Sequence, residues 1–344
     1  MKIHEIELYR NSLDKIAESI PVTGGRVLVT GASGMIGSCL VNAMVRANQK
    51  YHANFQIYAL SRNEKRLKER FSYSDDVHII SQDISEQIQV DGLDYILHTA
   101  SAADPRSYTV YPAETILTNV QGAKSVLDYC EGKKTRALLT STFEVYGKLE
   151  QDVYAEEDFG RIDENQLRSV YPESKRVAEL LFRAYHAEYG VDCLIARLPS
   201  VYGPTMSAGD NKAHAEFIRN AIQGEKIVLK SKGLQKRTYS YVMDIVDGLF
   251  FLLFHGNQGE VYNVANPDSV TTIADLAKTI AMIAGTDVVY NILNEKEQSI
   301  YSRPQNIILK TEKIKQLGWQ AKYDLFHGIS DTLKIASAGA EGNH

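Results

Sequence analysis

From Arg26 onward, short apolar runs alternate with longer stretches in which apolar positions recur at helical spacing. The runs Val27–Thr30, Gln56–Leu60, His78–Ser81, Tyr95–His98, Ala137–Ser141 and Cys193–Arg197 read as buried strands. Residues 35–49, 112–130 and 171–189 read as helices between them. This alternation predicts right-handed βαβ crossovers, and hence an α/β fold with a doubly wound parallel sheet. Upstream, Ile6, Leu8, Leu13, Ile16 and Ile20 predict a packing helix over 4–19, which Pro21 and Gly24-Gly25 terminate. After Pro199 the pattern becomes shorter and less regular. Loops are expected around 203–212 and 231–238, a further strand at Val261–Val264 and a helix over 273–284. The tail from Ala336 to His344 is small and polar and is expected to be disordered.

Composition narrows the function without naming it. A chain of 344 residues suits one large domain or two coupled lobes. Its net charge of −5 disfavours a nucleic-acid or membrane-surface binder, so an anionic ligand must meet local positive charge or backbone N–H groups. Cys39, Cys130 and Cys193 fall in packed segments and are odd in number, which argues against a disulfide framework. Residues 1–25 lack the apolar core of a secretory signal, and the apolar run Leu249–Phe254 is too short to span a bilayer, so a cytoplasmic location is expected. No metal site is read.

The sharpest motif is Gly31-x-x-Gly34-x-x-Gly37, with Ser33, Met35 and Ile36 between its glycines. It follows a buried strand and opens a helix. Glycine there lets main-chain N–H groups approach a pyrophosphate at the positive end of the helix. A second motif is Tyr171-x-x-x-Lys175, whose spacing places phenol and ammonium on one helical face. The cation should favour the phenolate and lower the tyrosine pKa, so that Tyr171 can remove a hydroxyl proton.

With these motifs the chain resembles the extended short-chain dehydrogenase/reductases of the NAD-dependent epimerase/dehydratase type, over about residues 26–330. The resemblance implies a Rossmann-type sheet with a smaller substrate-binding lobe. It divides the chain into an extension (1–25), a dinucleotide-binding domain (26–200 and 239–268), a substrate lobe (201–238 and 269–335) and the tail (336–344). It places Asp83 and Ile84 near the adenine, and Thr99, Ala100 and Ser101 along the pyrophosphate and ribose. Asn119, Thr140, Pro199 and Ser200 complete the expected cofactor set. After the second strand, Ser61-Arg62-Asn63 carries no carboxylate for a ribose; Ser61 and Arg62 could instead hold a 2′-phosphate, so NADP is favoured over NAD.

Thr140-Ser141-Thr142-Phe143-Glu144-Val145-Tyr146-Gly147 resembles the signature of nucleotide-sugar epimerases, dehydratases and decarboxylases. By that resemblance Thr142 orients the reacting oxygen beside Tyr171. Dehydratases and uronate decarboxylases of the family place Thr-x-Glu here, so Glu144 is expected to move a proton at C5 once C4 is a ketone. Phe143 stands where one class of 4,6-dehydratase carries an acid, which disfavours that chemistry. Asp104-Pro105 and Asn119-Val120-x-Gly122 look decarboxylase-like, whereas decarboxylases usually show Gly-Pro-Arg-Met where this chain has Gly203-Pro204-Thr205-Met206. Asn211, Arg237 and Arg303 fall where relatives contact the nucleotide diphosphate. The expectation is an enzyme that oxidises C4 of a nucleotide-diphosphate sugar and then decarboxylates or dehydrates it. A C4 epimerase, an NADPH-dependent 4-ketoreductase and a dinucleotide-sensing protein are the alternatives. The resemblance also implies a homodimer through helices 112–130 and 171–189. Apolar stripes Ile116, Val120, Ala123, Leu127 and Val177, Ala178, Leu181, Tyr185 would serve it.

Overall fold

A computed structural model describes residues 2–21, 24–103, 105–207, 209–292 and 305–341. The side chains of residues 105–107 and 341 lie outside that description. The helices are α1 Glu7–Ser19, α2 Met35–Tyr51, α3 Glu64–Phe71, α4 Pro105–Val110, α5 Pro112–Cys130, α6 Val170–Tyr189, α7 Ala213–Ile222, α8 Val242–His255, α9 Ile273–Ala284, α10 Glu312–Gln316 and α11 Leu325–Glu341. The central sheet is built from β1 Gly25–Thr30, β2 Phe55–Ser61, β3 Val77–Ser81, β4 Tyr95–His98, β5 Arg136–Thr142, β7 Cys193–Leu198 and β11 Val261–Asn263. Between and after these come the shorter strands β6 Val153–Tyr154, β8 Ser200–Tyr202, β9 Ile227–Leu229, β10 Lys236–Tyr241, β12 Val270–Thr272, β13 Val288–Tyr290 and β14 Ile308–Leu309.

The seven long strands run in the order β11-β7-β5-β4-β1-β2-β3, every pairing parallel. The order reverses between β1 and β4, where a doubly wound sheet opens a crevice at its carboxyl edge. Alternate side chains serve opposite faces, as strand geometry requires. Val27, Val29, Leu138 and Leu194 join the core under α1, α2 and α8. Leu28, Ala137, Leu139 and Ile195 join the core under α5 and α6. Both faces are covered, which explains why these strands read as unbroken apolar runs. Pro112 opens α5, where its missing N–H costs nothing, and Gly190 closes α6 in the left-handed conformation at φ 68°.

The smaller strands lie apart from this sheet. β10 pairs with β8 and β12, β9 with β13, and β6 with β14. Two expectations fail here. Residues 236–238 are strand rather than loop, because Lys236-Arg237-Thr238-Tyr239-Ser240-Tyr241 alternates its faces and buries its last four residues. Residues 336–341 are helical rather than disordered: α11 continues through them, burying Ile335 and half-burying Ala338. Among the described residues no helix is long and apolar enough to cross a membrane. Cys39, Cys130 and Cys193 are all free and buried.

Candidate active site

The carboxyl ends of β1, β2, β4 and β5 deliver most of the expected residues to one edge. β1 ends in Thr30 and turns at Gly31, whose φ of 68° is left-handed. A Cβ on Gly31 would sit 2.7 Å from the Ala100 backbone nitrogen, and one on Gly37 would sit 2.5 Å from the Gly31 carbonyl oxygen. Any side chain at either position would wedge the turn from β4 or from its own helix. Gly34 caps α2 without a side chain, so the first-turn N–H groups of Met35, Ile36 and Gly37 have no side-chain cap. Ser33 Oγ and Ser61 Oγ share a hydrogen bond of 2.7 Å. The β4 turn is tied back to β1: Thr99 Oγ1 donates to the Thr30 carbonyl at 2.6 Å, and the Ala100 N–H donates to Thr30 Oγ1 at 3.2 Å. This backbone cradle of exposed helix-end donors fits a dinucleotide diphosphate.

Asp83 accepts from the N–H and hydroxyl of Ser85, which hold its carboxylate below the usual range, and Ile84 is buried against Gly122. Arg62 is exposed. Its Nη1 lies 2.9 Å from Glu114 and 3.8 Å from Asp83. Ser101 donates to Asn119, and Asn119 donates to Ser174 at 2.8 Å, which joins β4, α5 and α6.

On α6, Lys175 is buried and donates from Nζ to the Thr140 carbonyl at 2.8 Å. Burial lowers its pKa to about 8, against the opposing charge of Glu179. Glu179 is itself held by Arg197 at 2.7 Å. One turn earlier on the same helix, Tyr171 is buried beside Thr142, whose hydroxyl also accepts the Glu144 N–H at 3.2 Å. Burial raises the phenol above its ordinary value and the Glu144 charge adds to this, while Thr142 and Arg168 oppose it. Lys175 was expected to lower this pKa. In this state desolvation dominates, and the ammonium is engaged with Thr140.

Two residues that the sequence analysis missed complete the group. Arg168 lies 3.2 Å from the Glu144 carboxylate, and its guanidinium stands 5.8 Å from the centre of the Tyr108 ring. Tyr108 in turn stacks on Tyr171 at 5.3 Å and 22°. Neither lies in a recognisable motif. Arg168 precedes Tyr171 by three residues, and its proximity was the only available signal. Phe143 faces the other side, with Arg237 5.9 Å over its ring, in a crevice that Pro199, Ser200, Thr238 and Leu309 also line. Asn211 is exposed ahead of α7 and joins none of these contacts. Arg303 and Asp104 lie outside the described residues, as does the side chain of Pro105. The arrangement can take a proton from a hydroxyl at Tyr171–Thr142 and hold a carboxylate or carbonyl beside Glu144–Arg168.

A family model described as the NAD dependent epimerase/dehydratase family matches residues 27–265. UDP-glucuronic acid decarboxylase 6 of Arabidopsis thaliana is 34% identical over 305 residues, 88% of this chain and 86% of that protein. UDP-glucuronic acid decarboxylase 1 of Xenopus tropicalis is 31% identical, covering 90% of this chain and 71% of its own. Among solved structures, DesIV, a dTDP-glucose 4,6-dehydratase from Streptomyces venezuelae with NAD bound, superposes with a TM-score of 0.79 at 24% identity, covering 92% and 98% of the two chains. A UDP-glucuronic acid 4-epimerase from Bacillus cereus superposes with a TM-score of 0.77 at 21% identity, covering 91% and 99%.

Proposed function

Because this chain belongs to the NAD dependent epimerase/dehydratase family, we propose that it oxidises C4 of a nucleotide-diphosphate uronate and releases the C6 carboxylate as carbon dioxide. A nicotinamide dinucleotide bound at the Gly31–Gly37 turn supplies the acceptor for the hydrogen that leaves C4 with its electron pair. Tyr171 takes the C4 hydroxyl proton, Thr142 orients that oxygen, and Lys175 favours the phenolate. A C4 ketone lies β to the carboxylate. The C5–C6 bond then breaks, its electron pair forming an enolate at C4, and Glu144 delivers the proton that C5 regains; the C4 ketone would then take the hydride back from the reduced dinucleotide and a proton from Tyr171, which resets both.

The observation that carries this reading is the Glu144–Arg168 pair beside Tyr171. It offers a cation to a substrate carboxylate, and Arg168 can exchange one carboxylate partner for another. Phe143 supports it too: it has no proton to give a departing C6 hydroxyl, so loss of water lacks its acid. Relatives named as UDP-glucuronic acid decarboxylases align across most of the chain. The test is to incubate the purified protein with a panel of nucleotide-diphosphate sugars and read product masses. Loss of carbon dioxide from a uronate is expected. Loss of water, or an unchanged mass with C4 inverted, would overturn the reading.

Three finer readings accompany it. Arg62 and Ser61 favour NADP over NAD, by a margin that Glu114 reduces because it already holds the guanidinium. Residues 201–238 and 269–335 form the lobe that receives the nucleotide sugar, with Asn211, Arg237 and Arg303 on its diphosphate. Two copies associate through α5 and α6. Ala123, Leu127 and Ala178 of the expected stripes face the sheet, whereas Ile116, Leu117, Val177 and Leu180 are exposed and form the contact face.

A further inference from the structure

Arg70 lies in the last turn of α3, outside every motif read from the sequence, and is half-buried where its neighbours Lys68 and Glu69 are exposed. Its Nη1 donates to Ser38 Oγ at 3.0 Å, and its Nη2 donates to the Thr205 carbonyl at 3.4 Å. Those two partners converge on one atom. Ser38 Oγ donates to the Met35 carbonyl at 3.1 Å, and Thr205 Oγ1 donates to the same carbonyl at 3.3 Å. Met35 is the first residue of α2, the helix that the glycine turn opens.

Among the described residues the hydrogen bonds of Arg70 go to a hydroxyl and a carbonyl rather than to a carboxylate. Burial, with Arg66 adding to it, makes this charge harder to hold than on a free side chain. The positive end of α2 adds repulsion instead of relief. An anion at that helix end would favour the cation. Thr205 is also the position at which the chain departs from Gly-Pro-Arg-Met.

We propose that Arg70 is a positioning residue of the dinucleotide site. It braces the first turn of α2 against the 203–206 segment and supplies positive potential for the dinucleotide diphosphate from behind the helix. The guanidinium reaches the Thr205 carbonyl from α3. This rests on the family's use of a dinucleotide but not on the choice of decarboxylation, so it survives if the sugar chemistry is read wrongly.

The test is fluorescence titration of the reduced dinucleotide into the intact protein at low and high salt, with the melting temperature of the dinucleotide-free protein measured alongside. Arg70→Met should weaken binding about five- to twentyfold at low salt and flatten the salt dependence. It should leave the melting temperature within a few degrees of wild type. Arg70→Lys keeps the charge and loses the paired donors, so its affinity should fall between the two. Adding Thr205→Arg to Arg70→Met should recover most of the loss. A mutant that binds like wild type with an unchanged salt slope would overturn the proposal, and so would one that only melts earlier. If Arg70→Met does not fold, Arg70→Lys decides: wild-type affinity and salt slope with a lowered melting temperature would overturn it.

Discussion

The two sides of the site are built differently. The dinucleotide side consists of backbone and short side chains at strand ends: Gly31, Thr30, Thr99, Ala100 and Ser33 are locked by hydrogen bonds of 2.6–3.3 Å among themselves and to adjoining strands. The side proposed for the sugar consists of long side chains from loops and separate elements, namely Glu144, Arg168, Tyr108, Phe143 and Arg237. The first is fixed by covalent geometry and tolerates little substitution. The second is held by an ion pair and ring contacts that a substrate can rearrange. A scaffold of this kind can keep one cofactor while its sugar chemistry changes.

Substitution should separate the two sides. The largest effect is expected at Glu144→Gln, which keeps shape and removes the group that delivers a proton to C5. Turnover should fall by about two to four orders of magnitude. The C4 oxidation should survive, leaving the absorbance of reduced dinucleotide standing where wild type shows it only transiently. Full activity without that absorbance would remove Glu144 from the mechanism. Tyr171→Phe should cost at least about a hundredfold and stop the first step, so no such absorbance should build up, while dinucleotide titration stays normal. Near-normal turnover would sink the assignment of Tyr171.

How much of this was legible follows the same division. The glycine turn and the Tyr171–Lys175 pair are local constraints, so spacing alone exposed them. The parallel sheet was legible because both of its faces are buried. Arg168 was not, because its meaning comes from the excursion after β5 that folds back and sets it on Glu144. β10 was mistaken for loop because Lys236 and Arg237 open it with two long charged side chains, and α11 because small residues carry little pattern.

A smaller effect tests the packing of both sides through pH. His98 and His214 are buried and hydrogen-bonded. Burial is the main cause that lowers their pKa, to about 3 and about 4 respectively. Below about pH 6.5 the unfolded chain binds their protons and the folded chain does not, so stability should fall as pH drops from there towards 4. Each histidine contributes a slope of up to about 1.4 kcal/mol per pH unit. Asp244, raised to about 6 mainly by burial, works in the opposite sense between about pH 6 and 4. Denaturant melts of wild type and His98→Asn between pH 4 and 7 would show whether the slope shrinks. The smallest effect is expected at Arg62→Ala, which should weaken NADP about tenfold and NAD hardly at all in parallel titrations. Equal losses would refute that reading of Arg62.

The pairing of β6 with β14 joins Val153 to Ile308, and β10 bonds Thr238 to Ile307. By contrast, the glycine turn needs only β1, β2 and β4, all complete by His98. As the chain leaves the ribosome from its amino end, the parts of the nucleotide cradle are therefore made long before the wall against the sugar can close. The wall waits for the last tenth or so of the polypeptide. A chain stalled or cut short before that point would still contain the pieces for gripping a dinucleotide, with no chamber in which to use it.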